Sequence, residues 1–190
     1  DEAFVRAMRS EALALAAREG GVHVGRTFGQ EWHKKRFHTP YLRNTLWEHG
    51  YAVDTLETAT DWKNVPVVLQ AIEAALRRGL EEENERVYVF THLSHTYPYG
   101  SSVYSTYLFR LAADPEASLQ RWQKLKAAAS RAIVIHGGTI SHQHGVGRDH
   151  APYLLAEKGA LGMEMLAQTC RTLDPDGMMN PGKLFMEGGG

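Results

Sequence analysis

Two runs of strict alternation, separated by a turn-rich hexapeptide, commit this chain to an antiparallel hairpin. From Arg86 to His95, Val87, Val89, Thr91 and Leu93 alternate with Tyr88, Phe90, His92 and Ser94. From Ser102 to Arg110, Val103, Ser105, Tyr107 and Phe109 alternate with Tyr104, Thr106 and Leu108. A period of two puts each set on one face of a strand. The connection Thr96-Tyr97-Pro98-Tyr99-Gly100-Ser101 is rich in turn formers. Tyr51 to Glu57 alternates in the same way and predicts a further strand. Aromatics within strands are packing residues by default. A loop phenol such as Tyr97 is less readily explained so, because a half-buried hydroxyl needs a hydrogen-bond partner.

The segments around these strands carry helical periodicity. Residues 2–19 predict an Ala-rich helix with Phe4, Met8, Ala12 and Leu15 inward, ended by Gly20-Gly21. Val22 to Phe28 alternates loosely and suggests a strand. Gly29 to His38 gathers Glu31, His33, Lys34, Lys35 and Arg36, either a solvated helix face or a basic surface for an acidic substrate group. A short helix follows from Tyr41 to Gly50. The next has Pro66 in its first turn and Val65, Leu69, Ile72, Leu76 and Leu80 on one stripe, with Glu81-Glu82-Glu83 left to solvent. Asp114-Pro115 caps and starts a helix that buries Leu119, Trp122, Leu125, Ala129 and Ile133, and Ala132 to His136 is expected to become a strand. Two helical segments follow Pro152, the second with Leu161, Met165, Leu166, Cys170 and Leu173 inward. Without an internal repeat or a long linker, the expectation is one α+β domain, an antiparallel sheet covered by helices.

A chain of 190 residues with 43% hydrophobic side chains can bury one substantial core. A net charge of −1 argues against nucleic acid as a partner. No apolar run approaches the ~20 residues of a transmembrane helix. No targeting segment opens the sequence, so a cytoplasmic location is expected. The single cysteine, Cys170, forms no internal disulfide and is expected to be a buried small hydrophobe.

Chemistry concentrates between Ile135 and Arg148, where His136, His142 and His144 stand among Gly137, Gly138, Gly145 and Gly147. Glycines there let the backbone turn through positive φ and let a flat ligand approach the main chain. On an extended segment His142 and His144 project to one side. Imidazole titrates near neutrality and suits proton transfer. Two other readings stay open. The histidines can be turn residues satisfied by the backbone, or His-x-His can supply two metal ligands with His136 or His150 as a third. No metal is assigned.

Ser141-His142-Gln143-His144-Gly145-Val146-Gly147-Arg148, followed by Asp174-Pro175-Asp176-Gly177-Met178-Met179-Asn180-Pro181-Gly182-Lys183-Leu184, resembles the C-terminal end of FAD-linked oxidases of the vanillyl-alcohol oxidase superfamily. Within it the pattern is most similar to the alkyldihydroxyacetonephosphate synthases of ether-lipid biosynthesis, which carry three consecutive histidines where this chain has His142, Gln143 and His144. Glu57-Thr58-Ala59-Thr60-Asp61-Trp62 resembles the family's Glu-Thr-x-x-x-Trp, and Tyr97 matches the tyrosine of its Tyr-Asp-x-Gly-Ala, with Pro98 replacing the aspartate. Arg43 matches the arginine of its Leu/Ile-Arg-Asp motif, with Asn44 in place of the aspartate.

The resemblance implies that residues 1–187 form the C-terminal substrate or cap domain of an FAD-linked oxidase, with 188–190 a tail. It also implies FAD, bound mainly by an N-terminal domain of the same parent chain that is missing here. The isolated fragment is therefore expected to be inactive and to bind little flavin. Tyr97, His142 and His144 would be catalytic, Arg43 and Gln143 would bind substrate, and His144, Gly145 and Asn180 would border the flavin. The implied reaction exchanges the acyl group of acyl-dihydroxyacetone phosphate for a fatty alcohol, with the flavin as a covalent electron sink. Gln143 cannot transfer protons, which leaves oxidation of a 2-hydroxy acid or alcohol as one alternative, and a non-catalytic or histidine metal-binding module as a second. A small or lipid-like substrate and, by analogy, a homodimer are the implied partners.

Overall fold

The computed structural model describes residues 1–185; for Thr39 it describes the backbone alone. The expected tail 188–190 lies outside the described residues. The chain divides into two compact units, Asp1–Asn44 and Thr45–Gly190.

The first unit contains α1 (Glu2–Arg18), α2 (Thr27–Lys35) and the start of α3 (Thr39–Glu48). Asp1 caps α1 by accepting the N–H of Ala3 at 2.8 Å. The stripe expected inward on α1 is exposed: Phe4 at 65%, Met8 at 54% and Leu15 at 47%. Helical periodicity says which residues share a face but not that something covers it. Residues 22–26 are irregular rather than a strand, and α2 begins at Thr27.

In the second unit β1 (Tyr51–Asp61), β2 (Tyr88–His92) and β3 (Gly100–Arg110) form an antiparallel sheet in the order β1-β3-β2. Glu57 stands opposite Tyr104, and Asp61 opposite Gly100. A Cβ at Gly100 would collide with the carbonyl of Thr60, so the β1–β3 pairing can close there only around a glycine. One sheet face, bearing Leu56, Val89, Val103, Tyr107 and Phe109, packs into the core with α4 (Val65–Arg78) and α5 (Pro115–Ile135). Val68, Ile72 and Leu76 from α4 and Leu125, Ala129 and Ile133 from α5 complete it. Each such aliphatic side chain contributes roughly 1.5–3 kcal/mol through burial.

A partly buried polar knot ties α5 to the sheet. Asp54 accepts hydrogen bonds from Trp122 Nε1 at 2.7 Å, Tyr107 Oη at 2.9 Å and Lys126 Nζ at 3.2 Å. Burial pushes its carboxyl up, but the Lys126 charge and these hydrogen bonds outweigh that and hold it below its ordinary value. Burial, with Asp54 beside it, drives the Tyr107 phenol the other way, far above its usual range. The acidic run after α4 is only partly left to solvent. Its third member, Glu83, accepts from Arg121 Nε and Lys124 Nζ, each at 2.7 Å, and fastens the turn to α5.

The expected strand from Ala132 to His136 is instead the last turn of α5, because Ile133 continues the Leu125–Ala129 stripe into the core. Packing overrides the β-propensity of Ile and Val. After His136 the chain turns back along β1. Thr139 N–H donates to Ala59 O at 3.1 Å, and His142 N–H donates to Glu57 O at 3.0 Å. The free edge of β1 is thereby covered. Glu157, on α6 (Ala151–Leu173), pins the same loop by accepting from Ile140 N at 2.7 Å and Thr139 Oγ1 at 3.0 Å.

Gly159, at φ 69°, breaks α6 into the two segments expected. The side chains expected inward on the second segment are exposed, among them Leu161 at 74%, Met165 at 64% and Leu173 at 81%. Cys170 is exposed with them rather than buried.

Two outcomes follow from this packing. Leu125→Ala should lower stability by about 2–5 kcal/mol in chemical unfolding, whereas Leu119→Ala, on the exposed side of the same helix, should cost only about 0.5 kcal/mol. Acid should also weaken the fold. The Glu157 carboxyl is raised by burial but held below the ordinary 4.5 by the Ile140 N–H, Lys158 and Thr139, and Asp54 lies below its ordinary 3.8. A carboxyl depressed in the folded state stabilises above its unfolded pKa, and that stability is lost as pH falls through the folded value. The unfolding temperature should therefore be level from about pH 7 to about pH 5 and drop below that, with Glu157→Gln reducing the drop.

Candidate functional site

Glu57 occupies the sheet face opposite Asp54, three residues along β1, and is only 4% exposed. Among the described residues its ion-pair partners are imidazoles alone. His142 Nδ1 lies 3.1 Å from Oε1, His95 Nδ1 3.4 Å from Oε1, and His144 Nε2 3.5 Å from Oε2. Ser94 Oγ donates to Oε1 at 2.5 Å and is itself linked to Ser102 Oγ at 2.6 Å. Burial raises the Glu57 carboxyl, but the hydroxyls of Ser94 and Ser102 and the His142 ring more than offset this and hold it below its ordinary value.

The two loop histidines reach this carboxylate by a route other than strand alternation. Residues 141–149 form bends and turns, and Gln143 takes φ 61°, in the left-handed region. His144 N–H donates to His142 O at 2.9 Å across that turn, which swings both rings towards Glu57. Gly138 sets the approach of the loop, since a Cβ there would stand 2.5 Å from Thr58 Oγ1. His150 is buried with Nδ1 2.9 Å from Gly145 O, so it braces the loop.

Tyr97 joins from the hairpin connection, its hydroxyl 3.0 Å from His142 Nε2. The connection is held in place by Tyr97 N–H on Gly100 O at 2.8 Å and by Trp62 Nε1 on Tyr97 O at 3.1 Å. The His95 and Tyr97 rings are stacked, 9° from parallel, and Tyr104 meets His144 edge to face at 5.6 Å. An exposed phenol is thus hydrogen-bonded to an imidazole whose other nitrogen lies 3.1 Å from a buried carboxylate. Such an arrangement can move a proton between Tyr97 and His142 while the carboxylate balances charge.

Of the residues singled out from sequence, Tyr97, His142 and His144 converge here. Gln143 is exposed at the turn between the two histidines. Asn180 lies on the turn 177–185, which returns to the histidine loop through Leu184 N–H on Gly147 O at 3.1 Å and borders a cleft of about 480 Å³. Arg43 belongs to the first unit. Sequence reasoning did not place Glu57, His95 or Ser94 in the site. Glu57 reads as one more alternating strand position, and only the Glu-Thr-x-x-x-Trp match set it apart.

Among the described residues, the cation-capable group is also not the one drawn from His-x-His with His136 or His150. It comprises Glu57, His95 and His142, whose donor atoms lie within 4.8 Å of one another. Ser94 already occupies the carboxylate oxygen that those two imidazoles share, and we assign no metal role.

Comparison with known proteins gives this geometry a context. Residues 4–184 match the family of FAD linked oxidases, C-terminal domain. The chain is 26% identical over 184 residues to alkyldihydroxyacetonephosphate synthase of Trypanosoma brucei brucei, covering 97% of this chain and 30% of that protein. It is 25% identical over 187 residues to the mitochondrial D-lactate dehydrogenase [cytochrome] of Arabidopsis thaliana, covering 97% of this chain and 31% of that one. A solved alkyldihydroxyacetonephosphate synthase superposes with a TM-score of 0.61 at 20% identity, over 91% of this chain and 28% of that structure, which shows a common fold. The chain spans about 30% of the length of the curated relatives it matches. With a family match that runs through almost every described element, this chain belongs to the C-terminal domain family of the FAD-linked oxidases.

Proposed function

We propose that this chain is the substrate-handling part of an FAD-dependent enzyme that exchanges the acyl group of acyl-dihydroxyacetone phosphate for a fatty alcohol. The observation that carries the reading is the Tyr97 hydroxyl poised 3.0 Å from His142 Nε2, with the His142 ring against the buried carboxylate of Glu57. The names of several similar proteins, in Trypanosoma, Dictyostelium and Caenorhabditis, support the synthase chemistry. On this reading Tyr97 and His142 move the substrate proton and His144 steadies the charge that develops beside them. The resemblance alone makes Arg43, in the first unit, the candidate for binding phosphate, for which a planar guanidinium fork is well matched.

The histidine loop fits a flavin edge. Gly145 and Gly147 have positive φ, and the space a Cβ would fill at each is open, so a flat ring can meet the main chain there. His144, Gly145 and Asn180 would hold that edge, and FAD when bound supplies the electron sink. The isolated chain is not expected to turn over substrate. FAD added to it should keep its free fluorescence, and stoichiometric quenching would contradict that.

Gln143 favours a second reading. It stands where the synthases have a histidine and cannot relay a proton, and an FAD-linked oxidoreductase and a D-lactate dehydrogenase are also among the similar proteins. That reading is oxidation of a 2-hydroxy acid or an alcohol by the flavin. No helix among the described residues is long and apolar enough to cross a membrane.

The flavin-loaded parent protein should exchange the acyl group of acyl-dihydroxyacetone phosphate for hexadecanol, and Tyr97→Phe or His142→Asn should slow that exchange by roughly 10²-fold or more. Failure of the phosphorylated substrate, with reduction of an electron acceptor by 2-hydroxy acids instead, would overturn the synthase reading.

A further inference from the structure

We propose that Glu57 is a positioning residue that fixes the proton of His142 on Nδ1, so that Nε2 faces Tyr97 as an acceptor and the phenol is the group that gives up its proton. Two neutral tautomers of His142 fit the ring position equally well. They differ in which nitrogen is bare.

His142 Nδ1 is sealed from solvent and has no aligned hydrogen-bond partner, although Glu57 Oε1 is only 3.1 Å away. Water cannot reach this nitrogen, so the carboxylate decides its state. If Nδ1 were bare, its lone pair would confront a carboxylate oxygen at that separation in a buried place, an arrangement without compensation. If Nδ1 carries the proton, the contact becomes a charge-assisted hydrogen bond after a small rotation of the ring. On the far side of the ring, Nε2 then offers its lone pair to Tyr97 Oη at 3.0 Å.

The surroundings hold Glu57 to this task. Ser94 Oγ donates to Oε1 and, with Ser102 Oγ linked behind it, anchors the carboxylate towards the hairpin. His142 N–H donates to the backbone oxygen of Glu57 itself at 3.0 Å, so ring and carboxylate are placed by the same two residues. His95 and His144 also face the carboxylate, at 3.4 and 3.5 Å, but neither meets the Tyr97 hydroxyl within hydrogen-bonding distance among the described contacts. In the transfer step the Tyr97 O–H bond breaks and an Nε2–H bond forms. The result is a phenolate and an imidazolium whose charge the carboxylate balances, with no change of oxidation state.

The direct test is a neutron diffraction map of the parent flavoprotein at neutral pH. Deuterium on Nδ1 of His142, directed at Glu57, is expected; a bare Nδ1 with deuterium on Nε2 alone would overturn the proposal. This readout does not depend on which substrate the enzyme takes, so its failure is separable from failure of the function proposed above. In the same holoenzyme, Glu57→Gln should lower kcat by roughly 10²-fold with KM little changed. A loss carried wholly by KM would contradict a positioning role through His142. Should Glu57→Gln fail to fold, the neutron map of the unaltered protein still decides.

Discussion

A carboxylate removed from water must be surrounded by donors or give up its charge, and Glu57 is that carboxylate here. The donors available to it come from separate parts of the chain: Ser94 and His95 from the hairpin connection, His142 and His144 from the loop after α5. Neither of these segments is regular secondary structure. Their convergence on one strand residue gives the loops a defined position, and it places the Tyr97 phenol against an imidazole.

β1 carries two acidic groups on opposite faces, Asp54 half-buried and Glu57 buried, and the contrast between them separates structure from chemistry. Asp54 is satisfied by an ammonium, an indole and a phenol, and the arrangement locks α5 to the sheet. Glu57 is satisfied by serine hydroxyls and imidazoles, and imidazole is the side chain type that exchanges protons near neutrality. The same strand thus presents one carboxylate to the helices that cover the core and another to the imidazoles of the site. The sealed edge of β1, covered by the histidine loop and pinned from α6 by Glu157, keeps the second carboxylate dry.

Local patterns make the sheet legible in the amino-acid sequence: alternation across Arg86–His95 and Ser102–Arg110 marks β2 and β3, and Asp114-Pro115 marks the start of α5. What such patterns do not convey is which apolar face is covered. Phe4, Met8 and Leu15, and again Leu161, Met165 and Leu173, repeat as a buried stripe would and are exposed. The histidine loop shows the limit from the other side. His142 and His144 meet at Glu57, yet the strand geometry expected of them is absent, and the turn at Gln143 brings them there instead. Glu57 itself is hidden in the sequence because its partners lie tens of residues away, where no local period reaches.

The most direct test of this account is the coupling between Glu57 and His142 in the stability of the protein, measured by chemical unfolding of Glu57→Gln, His142→Asn and the double variant. If the buried carboxylate is what holds the histidine loop, the two losses should fall short of additive by about 1 kcal/mol or more. Losses that add within about 0.3 kcal/mol would mean that the carboxylate and the ring do not depend on each other, and the account would be wrong at its centre.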